Sequence, residues 1–216
     1  MKNLARVAAI GLIAAGIFSC AQRNNKTTPL PEPVNGKVLL ADIYLDANDV
    51  CPLCMRYAQV CLIEENGRAG FSDALAGAFA QKSYGIVKGK IQGTGKPGPE
   101  TIKLYAELAG KLGAKYLVMP VLYCWSERRG TALSSSQPAR VGFHLHVYDP
   151  ETGKEIWGGD FNEEQAPLSE NILDAKTFIS RGGRWITAQE LAKEGVMKLI
   201  DKFQKAQEKS AADTGN

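Results

Sequence analysis

The sequence predicts an α/β protein: a single sandwich domain with a mixed sheet of about five strands, in the order β-α-β-α-β-β-β-α. Two observations carry this expectation. In residues 138–161, Val141, Phe143, Leu145 and Val147 alternate with Arg140, Gly142, His144, His146 and Tyr148, the period-2 pattern of a half-buried strand. Upstream, two helical stripes separate three β-prone runs, and helix crossovers between strands imply a parallel part to which a hairpin adds antiparallel strands.

Residues 37–47 begin with an apolar run and form the first strand, followed by a cysteine-bearing loop. Phe71, Leu75, Ala78 and Phe79 fall at helical spacing within 70–82, and residues 84–88 make a short second strand. A turn over 93–98 precedes Pro99, which suits the first turn of a helix. Ile102, Tyr105, Leu108, Ala109 and Leu112 form that helix's apolar stripe, with Gly113 as its C-cap. Residues 116–125 are apolar enough for a central strand. Pro120 inside it has no N–H for a ladder, so a bulge or an unpaired position is expected there. A polar loop over 126–137 leads to the hairpin. Its turn is Asp149-Pro150-Glu151-Thr152-Gly153, and Ile156, Trp157 and Phe161 carry the return strand. Residues 162–183 are irregular, with a short helix near 172–178. Thr187 and Glu190 make a capping box for a last helix that buries Leu191, Val196, Leu199, Ile200 and Phe203. Trp125, Trp157 and Trp185 are anchors of core or interface.

The chain of 216 residues carries a formal charge of +3. Lys2 and Arg6 belong to the leader, and without them 24 basic residues face 23 acidic ones. A body so close to neutral argues against an electrostatic nucleic-acid binder. Residues 1–19 read as a signal peptide, with a basic start and an apolar core over 7–18 too short to span a bilayer comfortably. Ile17-Phe18-Ser19-Cys20 resembles a bacterial lipobox, which implies acylation (palmitate) at Cys20 and attachment to the membrane through the N-terminal lipid. Ala21 in place of Asp points to the outer membrane, facing the periplasm. Residues 20–36 are a polar tether, 37–209 the folded domain and 210–216 a frayed tail.

Cys51-Pro52-Leu53-Cys54 is the sharpest chemical motif, because CxxC brings two sulfurs close enough for a redox disulfide or half of a tetrahedral metal site. In a thioredoxin-like arrangement it follows the first strand and opens a helix, with Pro120 in the place of a cis-proline. Cys51, Cys54, Cys61 and Cys124 are an even set, so in an oxidising compartment they suggest two disulfides with three possible connectivities. Structural disulfides or inert thiols, a redox pair and a metal site stay open as readings. His144 and His146 share one strand face and, with two cysteines, are weak candidates for a zinc site; the expected alternative is a half-exposed sheet face. No Gly-x-Ser-x-Gly elbow or phosphate-loop spacing is present, so neither a catalytic residue nor a cofactor is indicated. Asp160, Glu163 and Glu164 meet Asp42 and Asp46 only if their strands are neighbours.

Gly113-Ala114-Lys115-Tyr116-Leu117-Val118, then Asp149-Pro150-Glu151-Thr152-Gly153-Lys154-Glu155-Ile156-Trp157, resemble the corresponding stretches of bacterial envelope lipoproteins related to CsgG and to the amino-terminal domain of TolB. Residues 161–171 resemble a segment that follows the hairpin in uncharacterised periplasmic lipoproteins. The likeness covers roughly 37–205, with its specific part in 113–171. It implies a fold, a cell compartment and a binding or scaffold role with an envelope protein partner in assembly or maintenance. It implies no catalytic residue. The chain departs from these relatives in showing neither the membrane-inserting hairpins that build the CsgG pore nor the propeller of TolB, so a secretion pore is not implied. The rival functions are a thiol–disulfide oxidoreductase using Cys51 and Cys54, or a Cys/His metal-binding envelope protein.

Overall fold

The structure, a computed structural model, describes residues 33–91, 96–165 and 179–214. The leader, Cys20 and most of the tether lie outside these residues, as do Gly93 to Gly95 of the turn and the expected helix near 172–178.

Strands β1 (Lys37–Leu40), β2 (Tyr44–Leu45), β3 (Gly85–Lys88), β4 (Tyr116–Ser126), β7 (Arg140–Tyr148) and β8 (Glu155–Glu164) form one mixed sheet. Its order is β3-β1-β4-β7-β8, with β2 continuing the β1 side of β4. β1 runs parallel to β3 and β4, whereas β4, β7 and β8 are antiparallel. The predicted fold class is therefore the observed one. The first strand is broken into β1 and β2, and the loop over 126–137 holds a small hairpin, β5 (Arg129–Gly130) with β6 (Ser135–Gln137).

Pro120 pairs in register with Leu145, and the bulge of β4 falls instead between Leu122 and Cys124. The carbonyls of Val118 and Leu122 accept from the amides of Ala41 and Asp46 on the β1/β2 side. By strand alternation the Pro120 nitrogen faces that same side, in the gap where β1 has ended and β2 has not begun. The break in the edge partner is thus where the proline is tolerated. The hairpin turn closes as its sequence expects. Asp149 Oδ1 accepts from the Glu151 amide, and Gly153 takes φ 65°, which only glycine adopts without strain.

Helices α1 (Gly67–Gln81) and α3 (Ala188–Thr214) cover one face of the sheet. Phe71, Leu75 and Ala78 of α1 and Leu191, Val196 and Ile200 of α3 pack on Val141, Phe143, Leu145 and Val147 in the main core. The Thr187 amide donates to Glu190 and the Glu190 amide to Thr187 Oγ1, which is the capping box read from the sequence. The helix runs on to Thr214, past Ser210 where fraying is expected. Trp125 is buried in this core, and Trp157 is half-buried against Phe203.

The other face is covered unevenly. Helix α2 (Pro99–Lys111) packs Tyr105, Ala106 and Ala109 on Leu39, Leu117, Met119 and Tyr148. Beyond Met119 of β4 and Tyr148 of β7, no described helix covers that face. There the 48–60 loop lies over Tyr123, Cys124, His144 and His146, and it supplies few apolar side chains of its own. A loop with so little hydrophobic area needs other fastenings.

Candidate metal centre

The loop is a tight turn with Cys51 and Cys54 at its tip. Val50 and Tyr57 form an antiparallel bridge, the Cys51 amide donates to the Arg56 carbonyl, and the Met55 amide donates to the Cys51 carbonyl. Met55 takes φ 58°, the left-handed region that favours glycine, so the chain bears some backbone strain to turn back immediately after Cys54. The amides of Leu53 and Cys54 point at the Cys51 sulfur. A turn that aims N–H groups at a sulfur is arranged for a thiolate.

On the strand, period-2 alternation sends Phe143, Leu145 and Val147 into the main core and His144 and His146 to the opposite face, beneath the loop. His146 Nε2 is 3.4 Å from Cys51 Sγ, and His144 Nδ1 is 3.5 Å from Cys54 Sγ. The four ligand atoms of Cys51, Cys54, His144 and His146 all lie within 4.8 Å of one another. A tetrahedral zinc site with Zn–S near 2.3 Å and Zn–N near 2.0–2.1 Å has adjacent sulfur and nitrogen atoms roughly 3.5 Å apart. The two measured S···N distances match that edge. Two thiolates with two imidazoles form a donor set suited to zinc.

The electrostatics agree with the metal-ligand protonation states of the imidazoles. Burial, and for His144 the neighbouring His146, lowers both histidines below the usual imidazole value, so they are neutral near pH 7. Burial pushes the Cys51 thiol up to about 11, a rise that the amides of Leu53 and Cys54 only partly offset. A buried thiolate here needs a cation beside it, and a bound divalent ion reverses the sign of that shift. Glu155 Oε1 is 2.9 Å from His146 Nδ1. It accepts that N–H and leaves Nε2 with its lone pair toward Cys51, the carboxylate–imidazole arrangement that orients metal-bound histidines.

Glu155 reaches His146 because of two local irregularities. A bulge between Val147 and Tyr148 pairs Glu155, rather than Ile156, with Tyr148, which puts Glu155 on the histidine side of the hairpin. Gly158, opposite His146 in the register, leaves the space that the carboxylate occupies: a Cβ there would lie 2.6 Å from Glu155 Oε1. Beside the cluster is a cavity of approximately 420 Å³ whose walls include Cys54, Arg56, Glu155, Gly158 and Asp160.

Several expectations need correction. His144 and His146 are not a half-exposed sheet face: they are 3% and 2% exposed, because the loop folds over them. The four cysteines form one disulfide, not two. Cys61 and Cys124 are joined, fastening the loop's far end to the bulge of β4, while Cys51 and Cys54 remain thiols. The thioredoxin-like arrangement does not hold. The CxxC turn is followed by more loop before α1 begins at Gly67, and no peptide bond among the described residues is cis. Asp160 and Glu163 on β8 are separated from Asp42 and Asp46 by β7 and β4, so the acidic cluster does not form. Glu155 is a site residue that the sequence alone does not single out. Its only sequence signal is a carboxylate across a hairpin from a histidine, and the bulge hides that pairing.

No family model matches the sequence, and no curated protein matches it either. Solved structures do. The chain is similar to the PelC dodecamer from Paraburkholderia phytofirmans, at 12% identity and a TM-score of 0.44, over 76% of this chain and 84% of that one. It is also similar to lipoprotein GNA1162 from Neisseria meningitidis, at 12% identity and 0.38 over 68% and 94%. A third likeness is to the LpoB C-terminal domain from Salmonella enterica, at 14% identity and 0.35 over 62% and 85%. One of the three is thus a bacterial lipoprotein by name, and at these scores no residue role is transferred from any of them.

Proposed function

We propose that the chain is a lipid-anchored, periplasm-facing binding protein of the bacterial cell envelope, in which a zinc ion held by Cys51, Cys54, His144 and His146 fixes the 48–60 loop to the sheet. The observation that carries the metal part is the convergence of four ligand atoms within 4.8 Å, two from the loop and two from β7. Four protein ligands fill a tetrahedron and leave no open position for substrate, so the ion's role is structural and no reaction is assigned to it. The envelope part rests on the sequence: the lipobox-like Cys20 and the likeness of the 113–171 stretch to CsgG- and TolB-related lipoproteins.

A fixed loop has a use in binding. Met55 and Tyr57 lie at its tip and are 74% and 85% exposed, large apolar groups of the kind that anchor protein interfaces. Zinc presents them on a surface that would otherwise be mobile, which lowers the entropic cost of docking an envelope protein partner.

The test is metal content. Full-length protein purified from membranes without chelator is expected to carry one zinc per chain, His144→Ala and Cys54→Ser to lose most of it, and Cys20→Ala to leave the membrane fraction with its zinc intact. Wild-type protein with zinc near zero contradicts the metal part; a membrane-bound Cys20→Ala protein contradicts the anchor. A second reading, thiol–disulfide exchange by Cys51 and Cys54, is favoured by one observation: this pair is unbridged while Cys61 and Cys124 are joined.

A further inference from the structure

We infer that Cys51 and Cys54 are a reversible oxidation site: a small disulfide of the glutathione class, entering by the cavity beside Cys54, converts the pair to a disulfide, expels the zinc and releases the loop. This rests on the metal reading above and adds its regulation. Three observations carry it. The two sulfurs lie within the 4.8 Å ligand cluster, and the backbone is already turned back by the Met55 amide bonded to the Cys51 carbonyl. Rotation of the Cys54 side chain is then the main movement needed to reach an S–S bond of about 2.05 Å. The sulfurs also differ in access, since Cys51 is buried whereas Cys54 is half-buried and lines the 420 Å³ cavity. Finally, Arg56 lines that cavity 3.9 Å from Asp160, a cation that a glutathione carboxylate can engage in place of the aspartate.

The step balances without any further reactant. The Cys54 thiolate leaves the zinc and attacks one sulfur of the small disulfide RS–SR. That S–S bond breaks, a Cys54–SR bond forms and RS⁻ departs. The Cys51 thiolate then attacks the Cys54 sulfur, forming the Cys51–Cys54 bond and expelling the second RS⁻. The chain loses two electrons and the small disulfide gains them. The two released thiolates take up protons from water near neutral pH. Zinc is left with two imidazoles, one ligand short of the three that the sparsest protein zinc sites keep, and dissociates. The Cys61–Cys124 disulfide takes no part, because both its sulfurs are already bonded to each other.

The experiment uses the full-length, detergent-solubilised protein. Its zinc content is measured first, then oxidised glutathione is added and two readouts are followed: zinc released to a chromogenic chelator, and disulfides mapped by mass spectrometry. The expected result is one zinc released for each Cys51–Cys54 disulfide formed, reversed by dithiothreitol with added zinc. In the Cys51→Ser variant the glutathione adduct accumulates on Cys54; in Cys54→Ser the buried Cys51 stays unmodified. A zinc-loaded protein that keeps both its metal and its thiols under oxidised glutathione overturns the inference while leaving the metal reading intact. An adduct on Cys51 in preference to Cys54 overturns the route of entry. A protein with no zinc at the outset sinks the metal reading, and this inference with it.

Discussion

Glu155 and Gly158 offer the sharpest quantitative test of how the centre is built. Glu155→Ala removes the acceptor 2.9 Å from His146 Nδ1. Loss of such an orienting partner costs metal sites about 10–100-fold in affinity, or roughly 1.4–2.7 kcal/mol. Gly158→Ala should act through the same contact. Its new Cβ would start 2.6 Å from Glu155 Oε1, and the carboxylate must retreat by about 0.8 Å to reach an ordinary contact near 3.4 Å. The new Cβ would lie 3.7 Å from His146 Nδ1, so that retreat runs nearly perpendicular to the 2.9 Å hydrogen bond, lengthening it only to about 3.1 Å while turning the carboxylate out of line. The single effect is smaller than that of Glu155→Ala, and it exists only while the Glu155 carboxylate is there to be pushed. The two substitutions are therefore not additive. In a Glu155→Ala background Gly158→Ala should cost little more, giving a coupling energy about as large as its single effect. Zinc affinity is read by competition with a chromogenic chelator, with circular dichroism confirming that each variant is folded. Additive losses, or a Glu155→Ala affinity within about twofold of wild type, would refute the role given to this carboxylate.

Two further predictions concern stability. Cys61 and Cys124 close a loop spanning 63 residues of sequence, so the Cys61→Ser/Cys124→Ser double variant should lose roughly 4 kcal/mol in urea unfolding, and a loss under about 1 kcal/mol would contradict the chain-entropy argument. Burial pushes the Glu163 carboxyl up, but the hydrogen bond and charge of Arg181, with help from Lys198, hold it below the usual carboxylate value. Its contribution is present above the ordinary carboxylate range and lost as pH falls through its lowered folded-state value. Glu163→Gln should therefore cost about 1.5–3 kcal/mol near pH 7 and progressively less as pH falls below the ordinary carboxylate range; a penalty that does not shrink on acidification would refute the ion pair as its cause.

The fold was readable because its signals are local. Alternation over 141–147, the stripes of both early helices, the Gly153 turn and the Thr187–Glu190 capping box each follow from residues a few positions apart, and each occupies its expected place. The site was less readable because its parts are distant and depend on irregular backbone. Cys51 and His146 are 95 residues apart, and nothing in either segment reveals that a loop without a helix covers that half of the sheet. Without the loop in view, two histidines on one strand face read as surface. The even cysteine count suggested two bridges for the same reason: count and spacing do not reveal that one pair meets at a strand bulge while the other faces two imidazoles. Glu155 was hidden by a one-residue bulge, which reverses the face that each residue before it presents.

A loop held by a metal ion on two sulfurs and two nitrogens has a distinctive signature in X-ray absorption at the zinc edge, measured on the natively purified chain. The expected spectrum has two sulfur scatterers near 2.3 Å and two nitrogen scatterers near 2.0–2.1 Å, with the imidazole outer-shell pattern of histidine. A first shell of oxygen and nitrogen only, or a chain that binds no zinc while Cys51 and Cys54 remain thiols, would contradict it.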